Sequence, residues 1–142
     1  MDKQDNFYRL ALANKISELE RIHLTVGELL NKWEIPAAMG FTLDLVLEEA
    51  FTNVVKYAFD DDQTHEILLE FEKNDQWLEI RLIDDGLSYD PTQKTDPDIE
   101  APVEDRQVGG LGIFLIKQFM DSVDYQRKDN KNYLILTKQI SR

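Results

Sequence analysis

The feature that most restricts the fold is a pair of alternating segments with no room for a helix between them. Ile67, Leu69 and Phe71 alternate with Glu66, Glu70 and Glu72, and Leu78, Ile80 and Leu82 then alternate with Trp77, Glu79 and Arg81. Period-two alternation sends successive side chains to opposite faces of a strand. A link as short as Asn74-Asp75 closes such segments into a hairpin. Parallel neighbours need a crossover of a dozen residues or more, so these strands are antiparallel. Residues 123–127 and 133–138 repeat the arrangement near the end of the chain.

The remaining segments fit around these pairs. Phe7, Arg9, Ala11 and Ala13 lie two apart with Tyr8, Leu10 and Leu12 between them, which predicts a short opening strand buried on both faces. Ile16, Leu19, Ile22, Val26, Leu29 and Leu30 form one helical stripe over 17–32, and Ser17 with Glu20 resembles a capping box. Residues 33–40, with Pro36 inside, read as a connection to a second helix over 42–59, ending before Asp60-Asp61-Asp62. A third helix is predicted from Gly110 to Met120. Residues 92–108 hold two prolines, several acids and no periodicity. Loops of that length are typically lids, binding loops or disordered segments. The order predicts a single α+β domain over 1–142, a two-layer sandwich with a mixed, mostly antiparallel sheet and helices on one face.

Composition narrows the function. Sixteen basic against 28 acidic side chains leave a net charge of −12, which argues against general nucleic-acid or membrane-surface binding. With no cysteine there is no thiol catalysis or disulfide scaffold. No apolar run approaches the roughly 20 residues of a membrane span, and the N-terminus lacks a signal-peptide stretch. The expectation is a soluble, cytoplasmic domain.

Three segments carry chemistry. On the second helix, Glu49 and Asn53 lie one turn apart at the border of the apolar arc formed by Leu43, Val46, Leu47, Ala50, Phe51 and Val54. An ordinary solvated helix face would look the same. Asp84-Asp85-Gly86 follows an alternating strand and leaves an exposed carboxylate beside backbone that a flat ligand can approach, or is simply a turn. Gly109-Gly110-Leu111-Gly112 runs into an apolar helix, leaving amides and a positive dipole end open to a phosphate. It is neither a Walker loop nor a dinucleotide fingerprint.

In order and spacing, these segments resemble the nucleotide-binding boxes of the GHKL (Bergerat-fold) ATPases, the gyrase, histidine kinase and MutL superfamily. Leu47-Glu48-Glu49-Ala50-Phe51-Thr52-Asn53 resembles the N box, Asp84-Asp85-Gly86 the first glycine box and Gly110-Leu111-Gly112 the second. The wording Glu49-Ala50-Phe51-Thr52-Asn53 and the ending Leu136-Thr137-Lys138 are most similar to the RsbW/SpoIIAB anti-sigma factor serine kinases.

The resemblance implies that Asp84 accepts a hydrogen bond from the adenine amino group, favouring ATP over GTP. It implies Asn53 as the Mg2+ ligand and Glu49 as general base. Gly86, Gly110 and Gly112 let the backbone approach the nucleotide, with 92–108 as the ATP lid. Lys56 and Tyr57 echo the histidine-kinase ending in which the lysine nears the phosphates, although a solvated lysine fits equally. Arg106, the lone arginine of the lid, stands two residues further from the glycines than a simple alignment places the family's arginine. Where the family has Gly-Thr this chain has Lys131-Asn132-Tyr133; Asn132 is either a turn residue or an adenine-side substitute for the threonine. Neither His23 with His65 nor the acids at 60–62 has metal-site spacing. By resemblance the protein is a homodimeric ATP-dependent serine/threonine kinase that binds a sigma factor and phosphorylates a STAS-domain antagonist. The alternatives are a histidine kinase-type ATPase domain and a non-catalytic partner-switching module.

Overall fold

The computed structural model describes residues 6–88, 90–93 and 110–140. Alternation builds the sheet as expected. In β2 (Glu66–Lys73) and β3 (Trp77–Asp84), Ile67, Leu69, Phe71, Leu78, Ile80 and Leu82 are buried on one face. Their register makes the face common, with Leu69 opposite Leu82 and Phe71 opposite Ile80. The connecting turn is held by Asn74 Oδ1, which accepts the backbone N–H groups of Gln76 (2.9 Å) and Trp77 (2.7 Å).

β4 (Ser122–Lys128) and β5 (Lys131–Gln139) form the second hairpin through Asp129 and Asn130, whose φ angles are 53° and 62°. Two left-handed residues in succession give the tight turn whose twist matches the strands. With β1 (Phe7–Ala13) the sheet order is β1-β2-β3-β5-β4, and every pairing is antiparallel. Among the described residues the sheet is therefore antiparallel throughout.

Two local expectations are corrected. β1 is an edge strand buried on one side only, through Leu10 and Leu12, while Phe7, Arg9 and Ala11 are exposed. The helices cover one face of the sheet, and no layer covers the other among the described residues. The Ser17 capping box does not form: a 3-10 turn at Ile16–Glu18 precedes α1 (Leu19–Lys32), whose start has no side-chain cap. Glu18 instead accepts the Ala13 backbone N–H at 2.8 Å and pairs with Arg21 at 2.9 Å, so a longer-range contact replaces the local signal.

α2 (Met39–Tyr57) is the central helix. It begins three residues before the predicted start because the chain after Pro36 already winds, with Met39 N–H donating to Pro36 O and Gly40 N–H to Ala37 O. Leu43, Val46, Leu47, Ala50 and Phe51 are buried against the sheet, the four larger side chains each worth about 1.5–3 kcal/mol on full burial. α1 packs on one flank and α3 (Gly110–Phe119) on the other, the latter through Ile113 and Ile116. This leaves one flank of α2, bearing Glu49, Asn53 and Lys56, facing the start of α3.

Candidate nucleotide site

The inward positions of β3 read Leu78, Ile80, Leu82 and then Asp84, so a carboxylate occupies a place the alternation would give to an apolar side chain. Asp84 is only 4% exposed, which corrects the expectation of an exposed carboxylate. Burial pushes its carboxyl above the usual range, reinforced by Asp85 and opposed by bonds from Asn132 and the Gly86 amide and by the charge of Arg127. Its Oδ1 accepts Gly86 N–H at 2.8 Å and Asn132 Nδ2 at 2.9 Å. Ala50, Val54, Ala58, Pro91 and Leu134 surround it in a narrow cavity of about 20 Å3, with Asn53, Tyr125 and Asn132 on its walls.

Gly86 serves the site indirectly. A Cβ there would lie 2.4 Å from the Ala58 carbonyl oxygen, and Leu87 N–H donates to that same oxygen at 2.7 Å. The backbone approaching Gly86 closely is the end of α2. This contact fixes the loop carrying Asp84 against the helix carrying Glu49 and Asn53.

The second cavity, of about 220 Å3, is lined by Glu49, Thr52, Asn53, Lys56, Tyr57 and the α3 residues Gly112 and Ile113. A Cβ at Gly112 would sit 2.6 Å from Glu49 Oε2, so glycine is what allows the carboxylate to lie against α3. Gly110 opens that helix, whose first amides lack intrahelical acceptors. Lys56 is exposed but lines the cavity. Asn53 lines both cavities. Thus Glu49, Asn53, Lys56 and Gly112 come together, with Asp84 at the other end. Most of the expected lid, including Arg106, lies outside the described residues, as does Gly109.

Among the described residues no three or more His, Cys, Asp or Glu side chains gather to hold a metal. A cation here would have the Asn53 oxygen and otherwise oxygens of ligand and water. That donor set suits Mg2+, which keeps waters and phosphate oxygens and needs few protein ligands.

Asn132 is not a turn residue. The turn is two residues earlier, and Asn132 is a buried β5 residue whose neighbours in register are Asp84 on β3 and Arg127 on β4. Tyr125 and Arg127 are site residues the sequence reading missed. The available signal was Asp129-Asn130: read as a two-residue left-handed turn, it sets Lys128 opposite Lys131 and hence Arg127 opposite Asn132.

His65 and Asp61 do form a local cluster: His65 Nε2 lies 2.8 Å from Asp61, Nδ1 lies 3.4 Å from Asp85, and the ring stacks on Phe59. The Asp61 bond holds the imidazole above its ordinary range, against a smaller opposing effect of burial. Two larger hollows, about 470 Å3 by Trp77 and Asp121 and about 1150 Å3 between α1 and α2, contain none of the site residues.

A buried acid at a strand end, an acid–amide pair on the adjacent helix and a glycine-started third helix stand together on an antiparallel α+β sandwich. Residues 12–138 match the family described as histidine kinase-like ATPase domain, and the chain belongs to that family. Within it, the chain is similar to serine/threonine-protein kinase BtrW of Bordetella bronchiseptica, at 36% identity over 107 residues covering 75% of this chain and 74% of the relative. It is also similar to serine-protein kinase RsbW of Bacillus thuringiensis, at 34% identity over 131 residues, 85% of this chain and 77% of the relative. The chain thus falls among the protein serine/threonine kinases of the RsbW and BtrW type. A structure of the RsbU and RsbW domains of a Mycobacterium tuberculosis protein shares the fold, with a TM-score of 0.67 at 14% identity over 96% of this chain and 33% of that one. No helix among the described residues is long and apolar enough to cross a membrane.

Proposed function

We propose that the protein binds Mg2+-ATP with its purine at Asp84 and its phosphates between Asn53 and α3, and transfers the γ-phosphoryl group to a serine or threonine of a small STAS-domain partner. The supporting observation is that Asn53 lines both hollows, with the buried acid beside the smaller, which must widen to admit a purine, and Glu49 beside the larger. Adenine offers an amino donor to Asp84, whereas guanine turns a carbonyl oxygen toward the carboxylate, costing on the order of 1–3 kcal/mol.

At the other end, Glu49 takes the proton of the attacking hydroxyl as its oxygen bonds to the γ-phosphorus and the bond to the β-phosphate oxygen breaks, leaving ADP. Bound Mg2+ supplies neutralisation of phosphate charge; Asn53 contributes its amide oxygen to hold it. Gly110 and Gly112 leave amides of α3 open toward the phosphates, and Lys56 adds a positive charge at the rim. Phosphoryl transfer depends chiefly on such positioning and charge compensation.

The proposal includes a sigma factor as second partner, a homodimer and a cytoplasmic location, as the resemblance to the anti-sigma factor serine kinases implies. Partner phosphorylation would release the antagonist, and the ATP-to-ADP ratio would decide which partner is held. Labelled ATP, Mg2+ and a candidate STAS protein test the reaction. Acid-stable phosphate on the partner is the expected result. Acid-labile phosphate would point instead to a histidine acceptor, and intact partner binding without transfer to a non-catalytic module.

A further inference from the structure

We propose that Asn132, oriented by Tyr125 and Arg127, is a positioning residue that fixes which oxygen of Asp84 faces the purine and makes no contact with the base itself. The proposal rests on the reading of Asp84 as the purine-binding acid. It differs from the expectation that residue 132 stands in for a hydroxyl touching the adenine.

The side-chain amide has four hydrogen-bonding places, two N–H donors and two lone pairs on oxygen. All four are filled within the protein. Nδ2 donates to Asp84 Oδ1 at 2.9 Å and to the Leu87 carbonyl at 2.8 Å. Oδ1 accepts the Tyr125 hydroxyl and Arg127 Nη1, the latter at 3.1 Å. Flipping the amide would set its oxygen against a carboxylate and a carbonyl, and its NH2 against the Arg127 guanidinium, which cannot accept, so one orientation is imposed. Nothing remains for a ligand.

The consequence falls on Asp84. Its Oδ1 is engaged twice, by Asn132 and by Gly86 N–H, while Oδ2 has no partner among the described residues. The cavity between Ala50, Val54 and Leu134 therefore meets one acceptor oxygen of fixed orientation. A hydroxyl at position 132 could rotate to donate or accept. A doubly anchored amide cannot, so Asp84 is held as an acceptor and the site selects a purine with an amino group. Arg127 also donates to the Gly86 carbonyl at 2.8 Å, which ties the same latch to the loop.

The charged groups around Asp84 define the pH experiment. Asp85 lies beside it on the loop, Arg127 reaches it from β4, and Lys131 and Glu66 share a shallow hollow with it on the other side. Asn132→Asp keeps the shape and the acceptor for Tyr125 and Arg127, but sets a second carboxylate against Asp84 and the Leu87 carbonyl. Two carboxylates so close share one proton, and its loss at higher pH repels the pair.

Calorimetry with Mg2+-ATP and Mg2+-inosine triphosphate, which replaces the amino group by a carbonyl, tests this on the full chain. Asn132→Asp is expected to weaken ATP binding about tenfold or more at pH 8 and to recover toward pH 5, with a slope the wild type lacks. Tyr125→Phe, which removes one donor and retains the ring, is expected to narrow the ATP-to-inosine triphosphate preference about 3–10-fold. It carries the test should Asn132→Asp not fold. Asn132→Thr is expected to restore ATP binding with a preference below that of the wild type. Equal weakening toward both nucleotides with no new pH slope would reduce Asn132 to a structural part and overturn the inference. Wild-type affinity in Asp84→Ala would instead sink the reading of Asp84 itself, whatever the Asn132 variants do.

Discussion

Gly112→Ala separates catalysis from stability most cleanly. The added methyl would lie 2.6 Å from Glu49 Oε2, so the carboxylate must retreat about 0.8 Å to reach an ordinary contact. Glu49 is a half-buried side chain on a helix surface and can swing, so the backbone need not move. Replacing glycine by alanine inside a helix gains up to about 1 kcal/mol, which offsets the local crowding. A catalytic group displaced by close to an ångström loses on the order of 10²-fold in rate. The expected variant is therefore as stable as the wild type or slightly more so, with phosphoryl transfer reduced about 10²-fold and a much smaller change in ATP affinity. Single-turnover transfer from labelled ATP, calorimetric ATP binding and urea unfolding measure the three quantities. Adding Glu49→Ala to Gly112→Ala should bring little further loss, because both changes act through one carboxylate. Transfer at the wild-type rate in Gly112→Ala, or fully additive losses in the double variant, would refute the placement of Glu49 against α3 as the catalytic geometry.

Asp84→Asn can keep the bonds to Asn132 and Gly86 through its oxygen while turning an NH2 toward the cavity; it should lose ATP and gain relative affinity for inosine triphosphate. Because burial raises the Asp84 carboxyl, its ionised form opposes folding as pH rises above the ordinary value of 3.8, so the same variant should melt higher at neutral pH. Gly86→Ala forces a methyl into the backbone of Ala58, where no side chain can yield, and should cost about 2–4 kcal/mol in urea unfolding; a change under about 0.5 kcal/mol would show that the loop is not pinned there. Burial alone would raise the Glu70 carboxyl on the outer sheet face, but bonds from Arg81 and Arg9 outweigh it and hold it low. Its contribution is thus present above the ordinary glutamate value of 4.5 and lost as pH falls through the lower folded value. Glu70→Gln should cost about 1–3 kcal/mol near neutrality, discounted for the exposure of Arg9, and flatten the acid limb of the stability curve. NMR titration should place His65 above the ordinary imidazole range, and Asp61→Asn should bring it down.

The parts of the site legible in the sequence are those where one periodicity decides the answer. Glu49 and Asn53 were readable as neighbours because a helix wheel fixes which residues border the apolar arc; Asp84 was expected as an exposed strand-end carboxylate, whereas the alternation from Leu78 to Leu82 carries this next even residue inward, where it is buried. What was not legible depends on partners distant along the chain. Alternation in β1 divides its side chains between two faces, but cannot say that only one face is covered. Ser17 and Glu20 have capping-box spacing, yet Glu18 finds the Ala13 amide and the local motif gives way. Gly86 reads as a ligand-facing glycine until α2 is placed, and then its missing Cβ is seen to make room for Ala58.

Asn132 shows the same limit at its sharpest. Its neighbours in register lie on two other strands, with Asp84 48 positions away, and a shift of one residue in the β4–β5 turn would send it to the opposite face. Read as part of the turn it carries no information. Read at its true register, it is a buried amide at an inward position, directly beside a buried acid at another. Two adjacent polar groups where the pattern calls for apolar ones oppose burial unless each satisfies the other. The fold retains such a pair where the exposed valence is useful, and here that valence is the one oxygen of Asp84 left facing the cavity.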